Sequence, residues 1–122
     1  MIGEPLVEDQ WVARVEDRLR KKYPQIPETA EFATYVQPAT WHRIDGIDVP
    51  LPDVAVFILR VPDPKHPGMD LVQRGAETMA NWRNRVRAYE QLVGTPDPLY
   101  VHFEAVVRAL SSTHKNLREM VS

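Results

Sequence analysis

Three residues near the middle of the chain have side chains of the types that bind divalent metal ions: His42, Asp45 and Asp48. Imidazole nitrogen and carboxylate oxygen together suit zinc, iron or manganese. Their spacing matches no established metal motif, and Asp45 precedes Gly46, a dipeptide whose tolerance of positive φ favours a two-residue hairpin turn. These residues are weak candidates for the site of a small metal-dependent enzyme, and a solvated turn is the alternative interpretation. We assign no metal site and expect no cofactor.

The sequence also lacks the residues that several other common catalytic mechanisms require. The 122-residue chain has no cysteine, which excludes a thiol nucleophile, Cys-based metal sites and a disulfide framework. Its five glycines are scattered, so the sequence has neither a P-loop nor a dinucleotide-binding fingerprint. We therefore expect no nucleotide ligand, and the sequence favours a protein without catalytic activity.

Basic residues on one predicted helix raise the alternative of nucleic-acid binding. Arg83 and Arg87 are four residues apart and share a helix face, where they could contact phosphates. A second basic cluster spans residues 18–22. The formal net charge is nevertheless -2, and neither half of the chain is basic. A nucleic-acid-binding regulator is therefore the second hypothesis, and a solvated helix face is the simpler interpretation of these arginines.

Aromatic residues on the same helix are candidates for binding a protein partner, because aromatic residues and arginine dominate interface hot spots. The candidate partner-binding residues are Trp82, Arg83, Val86, Arg87 and Tyr89. The chain's three tryptophans, Trp11, Trp41 and Trp82, are most simply interpreted as core residues or as residues between packed helices.

The 11 prolines divide the chain into the elements that position these residues. They leave residues 6–23, 69–95 and 99–122 free of proline, and long helices are permitted only there. Residues 6–23 form a predicted helix, because apolar residues recur every three or four positions and basic residues fill the last turn. Pro24 ends this helix.

The proline-rich middle, residues 28–67, favours a small antiparallel sheet. Residues 28–37 fit a helix or a strand, and we favour a short helix. Residues 41–44 and 47–49 form a predicted hairpin around the Asp-Gly turn. Residues 54–59 are apolar on both faces, which is typical of a buried central strand.

The C-terminal part, residues 69–121, predicts a long antiparallel helical hairpin. Apolar residues alternate at spacings of three and four through residues 72–93 and again through residues 103–120. The connector supports a break between two helices: Gly94 suits a left-handed cap, Asp97 an N-cap and Pro98 the first helical position.

Together these elements predict an α+β fold in a single domain over residues 1–122. The predicted function is non-catalytic: an interaction or assembly protein that self-associates, or joins a larger assembly, through the C-terminal helical hairpin. Accessory subunits of larger assemblies, viral particles among them, have sequences of this class, which is a likeness of class and not of motifs. The first residues lack the order of a signal peptide and no apolar run approaches ~20 residues, so we expect a cytoplasmic protein without membrane contact.

Overall fold

The computed structural model describes residues 5–121, apart from the side chains of residues 115 and 116. The elements follow the order α1 (Asp9–Lys22), β1 (Glu31–Gln37), β2 (Thr40–Ile44), β3 (Ile47–Leu51), β4 (Val54–Pro62), β5 (Asp70–Thr78), α2 (Met79–Gln91), α3 (Pro98–Thr113) and a 3-10 helix (Lys115–Val121). The single-domain assignment stays a prediction. Its ends, residues 1–4 and 122, lie outside the described residues, as does most of the segment on which the signal-peptide argument rests.

The sheet is antiparallel and has three strands in the order β1-β4-β5. One face carries the core. Alternate residues of the central strand, from Ala55 to Val61, point to this face and are almost completely buried. Helices α1 and α3 pack over it, and Phe103 of α3 makes edge contacts with Phe32 and Phe57. The central strand predicted for residues 54–59 is thereby confirmed.

The predicted first helix is present as α1, which begins at Asp9, three residues after the predicted start, and ends at Lys22. It buries Val15 and Leu19, while Trp11 and Val12 pack against the core from its edge. Arg20 holds the turn that follows, donating to the backbone carbonyls of Pro27 and Ala30 at 3.0 and 2.8 Å. The chain then enters β1, so the short helix favoured for residues 28–37 is wrong. Pairing of all seven β1 residues with β4 selects the extended form, which the local spacing left open.

The predicted helical hairpin over residues 69–121 is also wrong, although the α+β class holds. Residues 70–78 form β5, an edge strand of the sheet, and only residues 79–91 are helical before the connector. Helix α3 packs mainly on the sheet. It approaches so closely that a Cβ at Gly75 would lie 3.1 Å from Val106 Cγ1. The second predicted helix ends at Thr113 and continues as the 3-10 helix, whose Leu117 and Met120 are buried.

The N-cap predicted at Asp97 is confirmed, whereas Gly94 does not cap α2: the helix ends at Gln91 with Leu92 as its C-cap, and Gly94 follows in the connector. Gly94 has a φ of 88°, and Pro98 occupies the first turn of α3. The Asp97 carboxylate accepts from the backbone N–H groups of Leu99 and Tyr100 at 2.9 and 3.2 Å. The same carboxylate accepts from the Trp11 indole N–H at 3.1 Å, which ties α1 to the start of α3.

The predicted β-hairpin is present as β2 and β3, with positive φ at both Asp45 and Gly46. It forms a separate two-stranded sheet and makes at most marginal contact with any other helix or strand of the described chain. Trp41, interpreted from the sequence as a core or helix-packing residue, lies on this hairpin with 69% of its surface exposed.

Candidate functional site

The hairpin does not bring the metal-like residues together. In its register, His42 faces the same side as Val49, whereas Asp48 lies on the opposite side beside Arg43. Asp45 is in the turn, and the Asp48 carboxylate pairs with the Arg43 guanidinium at 3.3 Å. Within residues 5–121, no three histidine or acidic side chains lie close enough to hold a metal ion.

The hairpin instead exposes apolar side chains on both of its faces, next to His42 on one face and the Arg43–Asp48 ion pair on the other. One face carries Ile44 and Ile47, which are 52% and 65% exposed, followed by the half-buried Val49 and Leu51. On the other face Trp41 stands directly across from Pro50. An isolated two-stranded hairpin is marginally stable in water and gains stability when another element covers it. The described chain supplies no such cover.

A groove runs between the start of α1 and α2. Its volume is about 410 Å³, and the apolar part of its lining consists of Leu6, Val7, Trp11, Trp82, Val86 and Tyr89. The Tyr89 ring stacks on the Trp11 ring at a centroid distance of 6.0 Å and an interplanar angle of 11°. Trp82 forms the floor: it is 3% exposed and packs against Phe57 at 5.2 Å.

The predicted partner-binding residues converge on this part of the molecule. Val86 and Tyr89 line the groove, and Arg83 and Arg87 line a neighbouring depression along α2. Trp82 also lines the groove, but it is buried at the bottom and does not project toward a partner. Partner binding by these residues stays a prediction. The exposed apolar hairpin is the part that sequence reasoning missed, since nothing in the local pattern says whether another element covers Ile44, Ile47 or Trp41.

Most of the basic residues on these two helices form ion pairs with carboxylates of the same chain. Arg83 lies 3.7 Å from Asp53, and Arg85 forms a 2.9 Å pair with Glu77. In the other cluster, Arg20 pairs with Glu16 and Lys22 with Glu104. These carboxylates offset the positive potential that phosphate binding needs.

His102 and Glu77 form the best-defined pair of titratable groups in the core. His102 Nε2 lies 2.9 Å from Glu77 Oε1, and both side chains are mostly buried. The imidazole stacks on the Phe57 ring at 3.9 Å and 5°. This arrangement fixes the ring between β4 and α3, and His102 lines neither the groove nor the depression beside it. The geometry is that of a packed core histidine.

A second polar cluster joins α1 to α3 around Glu104. One carboxylate oxygen accepts from Lys22 Nζ at 2.7 Å and from the hydroxyls of Tyr23 and Tyr100 at 2.8 and 3.2 Å. Partial burial acts to raise the pKa of Glu104, but the hydrogen bonds and the Lys22 charge outweigh it, so this pKa lies below its ordinary value. Burial raises the pKa of the Tyr100 hydroxyl.

Comparison of the chain with protein-family models, with curated proteins and with solved structures finds no significant match. The helices of residues 5–121 include none with the length and apolarity needed to cross a bilayer.

Proposed function

We propose that this protein is a non-catalytic assembly protein that binds copies of itself, and that the β2–β3 hairpin is the element with which it does so. One observation carries the proposal: a two-stranded sheet with exposed apolar side chains on both faces, which no other helix or strand of residues 5–121 covers more than marginally. The sequence alone assigns self-association to a C-terminal helical hairpin. Because that hairpin does not exist, the proposed contact surface moves to residues 40–51. We also propose that the protein is a cytoplasmic subunit of a larger assembly, as the sequence leads us to expect.

The exposed apolar surface of the hairpin is concentrated on a short segment. The exposed parts of Trp41, Ile44 and Ile47 amount to roughly 300–400 Å² of apolar surface, given that one large aromatic side chain alone can bury 150–250 Å². This area is divided between the two faces, with Ile44 and Ile47 on one and Trp41 on the other. The support for the proposal is therefore the concentration of uncovered apolar side chains on residues 40–51, and not the size of a single patch.

The test is the mass of the protein in solution, measured by light scattering over a concentration series for wild type and two matched variants. Ile44 and Val72 are both β-branched strand residues with 52% exposure, but Val72 lies on β5, outside the hairpin. We expect wild type and Val72→Asp to form assemblies of more than one 14.0 kDa chain. Ile44→Asp should remain a single chain.

Either of two results would overturn the proposal. One is a wild-type protein that stays a single chain at every concentration. The other is an Ile44→Asp variant that assembles as well as wild type does. Because the hairpin stands apart from the core, Ile44→Asp should leave the circular dichroism spectrum of the protein unchanged, which serves as the folding control.

A further inference from the structure

Strand β2 is the more open of the two strands of the hairpin. All five of its residues, Thr40–Ile44, are exposed, whereas β3 includes the half-buried Val49 and Leu51. In the described chain this two-stranded sheet pairs with no other strand, so β2 has a free outer edge. Strands β1 and β5 are also edge strands, but they belong to a sheet that helices cover on one face. A two-stranded sheet gains most from further strands, because on its own it is marginally stable in water.

The register shows which backbone groups of β2 point to the free edge. Ile44 and Ile47 flank a two-residue turn and therefore exchange both of their backbone hydrogen bonds. Along an antiparallel pair, residues of this kind alternate with residues whose N–H and C=O groups point outward. Trp41 and Arg43 are of the second kind, so each presents one donor and one acceptor at the outer edge of β2.

The outer edge of β3 is less suited to a further strand. Asp48 and Pro50 lie across from Arg43 and Trp41, and their backbone groups point to this edge. Proline has no N–H, so Pro50 cannot donate to a neighbouring strand. Proline on an edge strand is one of the devices by which proteins prevent pairing with another chain. The hairpin therefore has one edge that accepts a strand and one edge that resists it.

The free edge of β2 is complementary to itself. When two copies of β2 run antiparallel with His42 at the centre, Trp41 of each copy lies directly across from Arg43 of the other. Both residues have outward backbone groups, so each of the two Trp41–Arg43 pairs exchanges two hydrogen bonds. The indole and the guanidinium of a pair lie on the same face, where they make a cation–π contact. Ile44 lies across from Thr40 of the second copy, which covers part of its exposed side chain.

Other ways of adding a strand are poorer. Centring the two strands on Arg43 instead of His42 places two guanidinium groups directly across from each other, which is destabilising. Pairing β2 with β3 of a second copy includes Pro50 and loses its donor. Such a contact would also join unlike edges, so that copies would add one after another without closing.

We propose that two copies of the protein pair along β2, antiparallel and about a two-fold axis at His42, to form a four-stranded sheet in the order β3-β2-β2-β3. This inference rests on the proposed function and identifies the part of the hairpin that makes the contact. Pairing stops at two chains, because the outer strands of the new sheet are the β3 edges that contain Pro50. Two five-residue strands make a small interface, which is typical of complexes that dissociate on dilution.

Two proline substitutions at facing positions test the pairing. Arg43→Pro removes an outward N–H from β2, and Asp48→Pro removes one from β3. The two variants are matched, because neither N–H bonds across the hairpin and both substitutions break the same ion pair. Light scattering over a concentration series should show complexes of two chains for wild type and for Asp48→Pro. Arg43→Pro should raise the dissociation constant about tenfold or more, because it removes half of the hydrogen bonds between the two copies.

The outcomes separate this inference from the proposed function. If Arg43→Pro associates as wild type does while Ile44→Asp does not, the hairpin associates through another surface, and this inference alone is overturned. It is also overturned if Asp48→Pro weakens association as much as Arg43→Pro does. Wild-type assemblies that keep growing with concentration would contradict the two-fold contact. A wild-type protein that never exceeds one chain removes both proposals.

A cross-linking experiment locates the two-fold axis. The chain has no cysteine, so an introduced cysteine is the only thiol present. In the proposed register the two copies of His42 face each other at a Cα separation of about 4.5 Å, which a disulfide spans. Val49 lies across from His42 within the hairpin, so its two copies are three strand spacings apart, about 14 Å. Air oxidation should link His42→Cys chains into disulfide dimers and leave Val49→Cys chains unlinked. Equal linking of the two variants would refute the register.

Discussion

The Asp97 carboxylate has two structural roles, and replacing Asp97 with alanine removes both of them. Its carboxylate caps α3 by accepting from two backbone N–H groups, and it also accepts from the Trp11 indole N–H. Losing an N-cap costs about 1 kcal/mol, within a range of 0.5–2 kcal/mol. Leaving the half-buried indole donor without an acceptor costs about 1 kcal/mol more. Arg18 lies 3.9 Å away and is 58% exposed, so its contribution is small.

We therefore expect Asp97→Ala to lower the free energy of unfolding by about 2–3 kcal/mol. Asp97→Asn keeps the oxygen that accepts from the two backbone N–H groups, but its NH₂ group replaces the oxygen nearest the indole N–H, so it should cost about 1 kcal/mol. Urea unfolding followed by circular dichroism measures both. The measurements belong in the Ile44→Asp background, because self-association would add a concentration-dependent contribution to stability.

A double-mutant cycle isolates the indole contact. Trp11→Phe removes the donor, and the coupling energy between Trp11→Phe and Asp97→Ala should be about 1 kcal/mol. A coupling near zero, or an Asp97→Ala variant as stable as Asp97→Asn, would refute the view that this carboxylate joins α1 to α3.

Two further predictions concern the packing of α3. Gly75→Val should lower the free energy of unfolding by about 1–3 kcal/mol, because the added side chain enters the space held by Val106. Ala76→Val, on the outward side of β5, is the control and should change the free energy of unfolding little. Equal urea midpoints for the two variants would contradict the close approach of α3 to Gly75. Glu104 has a lowered pKa, so its stabilising effect should be complete above its ordinary value of 4.5 and disappear as the pH falls through the folded-state value. The stability difference between wild type and Glu104→Gln, measured by urea unfolding across this pH range, should shrink on acidification, and a constant difference would refute the role of the charge.

Elements whose signals are local could be predicted from the sequence. The apolar stripe and charge distribution of α1 are intrinsic to residues 9–22, and the Asp45-Gly46 turn determines where the hairpin reverses. The N-cap at Asp97 is equally local. Each of these features depends on residues within a few positions of one another, so the structure reproduces them.

Strand β5 could not be predicted because its buried side is not apolar. Leu71, Gln73, Gly75 and Glu77 face the helices, so the period-two pattern that marks a half-buried strand is absent. Gly75 is there for the close approach of α3, and Glu77 for its contacts with His102 and Arg85. Both reasons depend on parts of the chain that come later. The N-cap at Thr78, which accepts from the Asn81 backbone N–H, was the available signal that α2 begins there.

The candidate site divides in the same way. The sequence identifies the residues of α2 as candidates for partner binding, and the structure places them along a groove and the depression next to it. It could not show that Trp41, Ile44 and Ile47 are uncovered, because exposure depends on where all the other elements lie. His42 and Asp48 cannot bind one metal ion together, because side chains alternate between the two faces of a hairpin and these two lie on opposite faces. This follows from the sequence once the turn is placed at Asp45-Gly46.

The most direct test of the account is the solution mass of wild type beside that of Ile44→Asp, measured by light scattering at the same protein concentration. The account predicts a wild-type mass of more than one 14.0 kDa chain and an Ile44→Asp mass of one chain. Equal masses for the two proteins would contradict it.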